Sequence, residues 1–250
     1  MNNKDVRRVI WALDGMGVTA AQDVLDKVFV ENSDVNQMIA MIKLNDMALL
    51  GEDAIISIMN HVPSDTGLFI DGKWADVSGT MRNIAKRYAG LSPSIVTVRE
   101  SIHWKSLLAI RDVLPQATIA LVSALTDISE ADFLRDYGMV PREYIARHLE
   151  KFQRYLGDDN SLGASVCSPL EASWLSERFP HIKLITPSIR SLWMKEDHQQ
   201  RTLPADEAIK AGAKFLVMGS QLTKGNPEEG ISAVKSRQMT FDEIVSAVSV

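Results

Sequence analysis

The 250-residue sequence holds one cysteine, Cys167, so no internal disulfide can staple the chain, which fits a reducing cytoplasm. Long apolar runs are missing too. The first one, after the charged start MNNKDVRR, stops at Asp14 and is too short for a secretion or membrane signal. Clusters of lysine and arginine are absent and the formal net charge is −5, which removes the usual basis for non-specific nucleic-acid binding. His61, His103, His148, His181 and His198 show no metal-ligand spacing, and no second cysteine could complete a zinc site, so no metal is expected. The segment GMGVTA after the first apolar run lacks the third glycine of G-x-G-x-x-G and follows an aspartate, which weighs against a dinucleotide-binding open sheet.

What is present is an alternation. Short apolar runs at 9–14, 41–45, 67–73, 94–98, 118–125, 162–168, 182–188 and 214–220 read as strands. Amphipathic segments such as AAQDVLDKVF, TMRNIAKRYA, WKSLLAIRDVL and PLEASWLSERF lie between them, and PADEAIKAGA opens on a proline suited to a first helical turn. Eight strand and helix units in 250 residues predict an α/β (β/α)8 TIM barrel spanning 1–250 as one domain, with a doubly wound open sheet as the alternative. The fifth connection is unusually long. Its segment 141–156 is a helix by the spacing of Ile145, Leu149, Phe152 and Tyr155, and 239–250 reads as a terminal helix. Cys167, inside an apolar strand with no neighbouring base, reads as a buried structural thiol.

Charges gather where such a barrel places its site, at the C-terminal ends of the strands. The stretch FIDGKWADVSGT sets Asp71, Lys73 and Asp76 within six residues, and period two aims Asp71 and Lys73 to one side of a strand. Asp14 ends the first strand and Lys43 lies in the second. Each alone reads equally as a solvated loop charge or a structural ion pair, but together on three successive strands they point to a site, since buried charges are costly unless paired.

These residues resemble the orotidine 5′-phosphate decarboxylase family. DGKWADVSGT is similar to its D-x-K-x-x-D-I-x-x-T signature at Asp71, Lys73, Asp76 and Thr80. WALD matches a first-strand motif ending at Asp14, and IKLN a second-strand lysine at Lys43. ITPSIR, then Gln199 and Arg201 in DHQQR, then LVMGS, follow the order of T-P-G-I-R, D-Q-x-R and V-x-G-R. The resemblance implies cofactor-free decarboxylation of a nucleotide, orotidine 5′-phosphate, to uridine 5′-phosphate in pyrimidine biosynthesis. It implies a catalytic array of Lys43, Asp71, Lys73 and Asp76, in a homodimer whose partner supplies Asp76 and Thr80. In that array Asp71 crowds the substrate carboxylate, Lys73 stabilises and protonates the carbanion, Lys43 and Asp76 hold those two in place, and Asp14 meets the ribose.

The chain departs from the family at both recognition ends. Gly219 is followed by Ser220 and Gln221, where the family has an arginine that grips phosphate. An uncharged side chain cannot replace that charge-assisted contact, whereas Arg190, Arg201 or Lys224 could. Asp127 stands where a serine normally contacts the base; as a carboxylate it could accept the ring N–H, or it could cap the helix starting near Ser129. Ser188 replaces a glycine, Arg99-Glu100 stands where the family often has His-Ala, and 191–203 reads as a lid. Two alternatives therefore accompany the decarboxylase reading: a relative acting on a substrate without the usual phosphate contact, and a non-catalytic binding barrel.

Overall fold

The computed structural model describes residues 6–31, 36–156, 162–194 and 202–249. Eight strands, β1 (Val9–Ala12), β2 (Ile39–Leu44), β3 (Gly67–Trp74), β4 (Ile95–Arg99), β5 (Thr118–Val122), β6 (Ala164–Val166), β7 (Lys183–Thr186) and β8 (Phe215–Met218), pair in parallel and in sequence order. The parallel pairing of β1 with β8 closes the barrel, which excludes the open sheet. The strand positions agree with the alternation in the sequence. The ends differ by a few residues, as where β1 stops at Ala12 and the chain leaves the sheet before Asp14.

Helices flank the barrel as α1 (Val18–Glu31), α2 (Glu52–Met59), α3 (Ser78–Tyr88), α4 (Trp104–Val113), α5 (Glu130–Tyr137), α6 (Pro141–Leu156), α7 (Pro169–Arg178), α8 (Ala205–Lys210), α9 (Ser220–Thr223) and α10 (Ala233–Val248). The long fifth connection holds two of them. Ser129 caps α5 by accepting from the Asp132 amide at 3.1 Å, so Asp127 does not have the capping role open to it in the sequence. In α6, Ile145, Leu149 and Phe152 are fully buried, but Tyr155 is mostly exposed and stacks its ring on Trp104 at 6.2 Å. Its place on the apolar stripe is thus a surface contact between α6 and α4. The terminal helix starts six residues earlier than its apolar pattern suggests, because Ser232 caps it and the buried Arg237 donates to the Leu222 carbonyl at 2.9 Å.

Strand alternation divides the core in two. Trp11, Leu13, Ile42, Leu44, Ile70, Val96 and Val98 face outward and pack under the helices. Ile10, Met41, Phe69, Ile95, Ala120, Ala164 and Ile185 face inward and fill the barrel floor. Two residues further along β2, β3 and β4, the inward positions above Met41, Phe69 and Ile95 belong to Lys43, Asp71 and Thr97. The apolar layer therefore forms the underside of a polar one.

Candidate active site

The polar layer opens into a cavity of about 500 Å³ at the C-terminal ends of the strands, within the size range of small-molecule sites. Asp14, Lys43, Asp71 and Lys73 line one side, from the loop after β1 and from β2 and β3. Ser188, Arg190, Gly219, Ser220 and Lys224 line the other, after β7 and β8. Four basic and two acidic side chains leave this described lining with a formal surplus of two positive charges, in a chain whose net charge is −5. The cavity is therefore suited to an anion.

A break in strand pairing shapes the β3 side. Ile70 pairs with Val96 and Trp74 with Val98, so Asp71, Gly72 and Lys73 lie opposite the single Thr97. Such a bulge re-aims side chains. A Cβ on Gly72 would fall 2.0 Å from the indole nitrogen of Trp74, whose ring stacks on Tyr88 at 5.5 Å, so the position requires glycine. Lys73 has φ +46°, a left-handed conformation that costs a residue with a side chain roughly 1–2 kcal/mol. The surrounding bonds must hold it there.

Those bonds converge on Asp71, which is 8% exposed. Its Oδ2 accepts from Lys73 Nζ at 2.8 Å and from Lys43 Nζ at 3.2 Å, and its Oδ1 accepts from the Thr97 hydroxyl at 2.9 Å. Lys43 also donates to Asp14, and Asn45 donates from its side-chain amide to the Asp71 carbonyl at 2.6 Å. Burial acts to raise the Asp71 carboxyl, but the Lys43 charge, the Lys73 bond and charge and the Thr97 hydroxyl outweigh it and hold the group below its ordinary value. Asp71 is a carboxylate fixed between two ammonium groups.

The other predicted residues are distributed differently. Asp76 is exposed and turned back on its own chain, its carboxylate accepting from the Val77 amide at 2.6 Å, and Thr80 sits in the first turn of α3; neither lines the cavity of this chain. Asp127 is exposed, one residue past Thr126, which does line it. Gln199 and Arg201 lie outside the described residues, as does much of the segment read as a lid. Gln221 is fully buried and turned toward α10, donating to Ser191 Oγ at 2.7 Å and Thr240 Oγ1 at 2.8 Å. It makes no part of the cavity. Cys167 is buried, and among the described residues no three His, Cys, Asp or Glu side chains gather as a metal site. Nor is any described helix long and apolar enough to cross a membrane.

Thr97 and Asn45 are the functional candidates that the sequence reading passed over. Thr97 carried a usable signal: it is the polar residue at the inward position two past Ile95, in register with Lys43 and Asp71.

A closed parallel barrel with paired charges at its C-terminal mouth defines a TIM-barrel enzyme that acts on an anionic small molecule. The model of the "Orotidine 5'-phosphate decarboxylase / HUMPS family" matches residues 7–234, and the chain belongs to that family. It is 32% identical over 170 residues to the orotidine 5′-phosphate decarboxylase of Thermobifida fusca, covering 68% of this chain and 71% of that protein. It is 29% identical over 241 residues to that of Prochlorococcus marinus, covering 91% and 94%. Both relatives are carboxy-lyases by name. The fold is similar to the crystal structure of orotidine 5′-monophosphate decarboxylase from Methanocaldococcus jannaschii complexed with the inhibitor BMP, with a TM-score of 0.65, 17% identity and 95% and 98% coverage.

Proposed function

We propose that the protein is a homodimeric cytoplasmic enzyme that decarboxylates orotidine 5′-phosphate to uridine 5′-phosphate. The observation that carries this reading is the Lys43–Asp71–Lys73 alternation around one carboxylate oxygen, fixed above an apolar floor. Breaking the bond from the pyrimidine carbon to the carboxylate leaves an electron pair on a ring carbon that cannot delocalise it, so charges already in position must stabilise it. Lys73 Nζ supplies that charge. Carbon dioxide departs, the pair stays on carbon, Lys73 donates a proton to it, and the resulting amine regains a proton from water. Asp71 stands where the substrate carboxylate would enter and opposes it before the bond breaks. Lys43 holds Asp71 from behind, and Asp14 is the acceptor for a ribose hydroxyl.

Asp76 and Thr80 join this scheme through a second copy of the chain. Both stand outside their own cavity, beside Val77, which is 68% exposed, and the exposed Leu49 and Leu50 of the short helical segment that packs against β3 add further apolar surface. A two-fold dimer covering this face would bring each Asp76 to the other subunit's charges. Arg190 and Lys224, on the opposite rim, are the groups placed to meet the phosphate in place of an arginine at Ser220. Lys224 is exposed and lines the cavity mouth, where its charge can meet a ligand.

Loss of orotidylate absorbance on incubation with the purified protein tests the proposal. Turnover abolished by Lys73→Ala supports it; no turnover by a folded barrel overturns it. In that case Ser220 favours the second reading, a decarboxylase whose substrate makes no such phosphate contact.

A further inference from the structure

Resting on the decarboxylase reading, we infer that Thr97 is a positioning residue that sets the Asp71 carboxylate and the Lys73 backbone relative to each other. Thr97 is fully buried in β4 and does not line the cavity, so it acts through its neighbours. Its hydroxyl donates to Asp71 Oδ1 at 2.9 Å and accepts from the Lys73 amide at 2.8 Å. Both bonds cross the place where three residues of β3 face one residue of β4.

The ladder cannot hold this stretch, because its regular pairing is interrupted from Ile70 to Trp74. One hydroxyl substitutes for it. The bond to Oδ1 fixes the carboxylate plane so that Oδ2 is left for the two lysines, and the bond to the Lys73 amide secures the left-handed residue from which the ammonium projects. Both ends of the Asp71–Lys73 pair thus refer to one atom on a rigid strand. A hydroxyl can donate and accept at once, which a valine of nearly the same shape cannot.

The test is Thr97→Val beside Thr97→Ser, which keeps the hydroxyl. Misplacement of a reacting group by a fraction of an ångström to 1 Å lowers turnover by up to about 100-fold. Thr97→Val should therefore lose about 10- to 100-fold in kcat with KM within about twofold, while Thr97→Ser stays within about threefold of the parent. The acid limb of the kcat profile should also move to higher pH in Thr97→Val, since a bond that favours the ionised carboxylate is gone. The charged groups facing Asp71 are Lys43 on β2 and Lys73 on β3, with Asp14 behind Lys43, and all remain in both variants.

Carbon-13 titration of the Asp71 carboxyl reads the same geometry without substrate, and Thr97→Val should show the higher titration midpoint. Parental kcat in Thr97→Val, equal loss in both variants, or an unmoved Asp71 titration would each overturn the inference. If the parent does not turn over orotidylate, the decarboxylase reading fails, and the titration alone decides the role of Thr97.

Discussion

Replacing Asp71 with asparagine keeps the shape of the site and removes one charge, so its effect can be worked from the distances. Lys43 and Lys73 contact the same oxygen at 3.2 and 2.8 Å, which places their ammonium groups no more than about 6 Å apart. Without the carboxylate, two positive charges at that separation repel by about 3 kcal/mol at an effective dielectric of 20, and by under about 1 kcal/mol where water reaches them fully. Lys43 retains Asp14 and is buried, whereas Lys73 is about one-third exposed, so a loss of about 2 kcal/mol is expected. Urea denaturation at pH 7 followed by tryptophan fluorescence would measure it as a lower midpoint.

The pH dependence has a definite sign. The folded Asp71 carboxyl lies below its unfolded value, near 3.9, so its stabilising contribution is present above that value and is lost as pH falls through the folded one. The gap between parent and Asp71→Asn should therefore be full at neutral pH and close below about pH 4. Turnover should fall by about 10² to 10³, while uridine 5′-phosphate binds at least as tightly, because the cavity gains a net positive charge. Equal stability at pH 7, or turnover and product affinity falling together, would refute the account of Asp71 as a carboxylate held between two lysines to oppose an incoming anion.

Lys224→Ala should raise KM for orotidylate about tenfold, lower kcat as well, and weaken the salt dependence of KM; steady-state kinetics at two ionic strengths would show it. Mixing inactive Lys73→Ala and Asp76→Ala proteins under conditions that exchange subunits should restore up to about a quarter of parental activity, since half of the dimers are mixed and each has one intact site. No recovery despite demonstrated exchange would place Asp76 outside the partner's site. Burial foremost, with help from Asp206 and Glu207, raises the Glu243 carboxyl against the opposing bonds from Ser191 and the Ala205 backbone. Stability from such a raised carboxyl is present below its unfolded value, about 4.3, and is lost as pH rises through the folded one. Glu243→Gln should therefore raise the thermal midpoint at pH 7 and leave it unchanged near pH 4, by calorimetry.

The barrel was legible because each strand is a short apolar run whose inward and outward positions are both buried, and because polar residues end each run at the same rim. Asp71 and Lys73 were legible for the same reason, as charges where the pattern demands apolar residues. Period two accounts for Asp71, which stands above Phe69, but Lys73 reaches the cavity through a bulge that the strand pattern does not announce. Thr97 was hidden by its chemistry: in SIVTV it is an ordinary β-branched strand residue, and its hydroxyl matters only once β3 is known to lie beside it. α5 was legible only by its start near Ser129, because its face is mostly charged and Phe133 is its buried side chain. The failure of Asp127 as a cap follows from Ser129, two residues on, being closer to the amide that needs an acceptor.

The positions of the two charged rims constrain what the cavity can hold. β3 and β7 stand four strands apart in a closed ring of eight, so Lys73 and Arg190 face each other across the mouth, with Lys224 beside β8. On the β3 side Lys43 and Lys73 are balanced by Asp14 and Asp71, so the surplus positive charge of the lining lies at the far rim, with Arg190 and Lys224. The arrangement therefore favours a ligand whose strongest anionic group meets the far rim, while a carboxylate at its other end has Lys73 beside it and Asp71 against it. Binding at the far rim also gives the near rim its leverage. Attraction at Lys224 and Arg190 can hold the substrate in place while Asp71 repels the carboxylate at the other end, so binding energy gained away from the reacting carbon offsets destabilisation at it. On this argument, shortening the substrate by its phosphate should lower kcat as well as raise KM, even though no phosphate contact touches the bond that breaks.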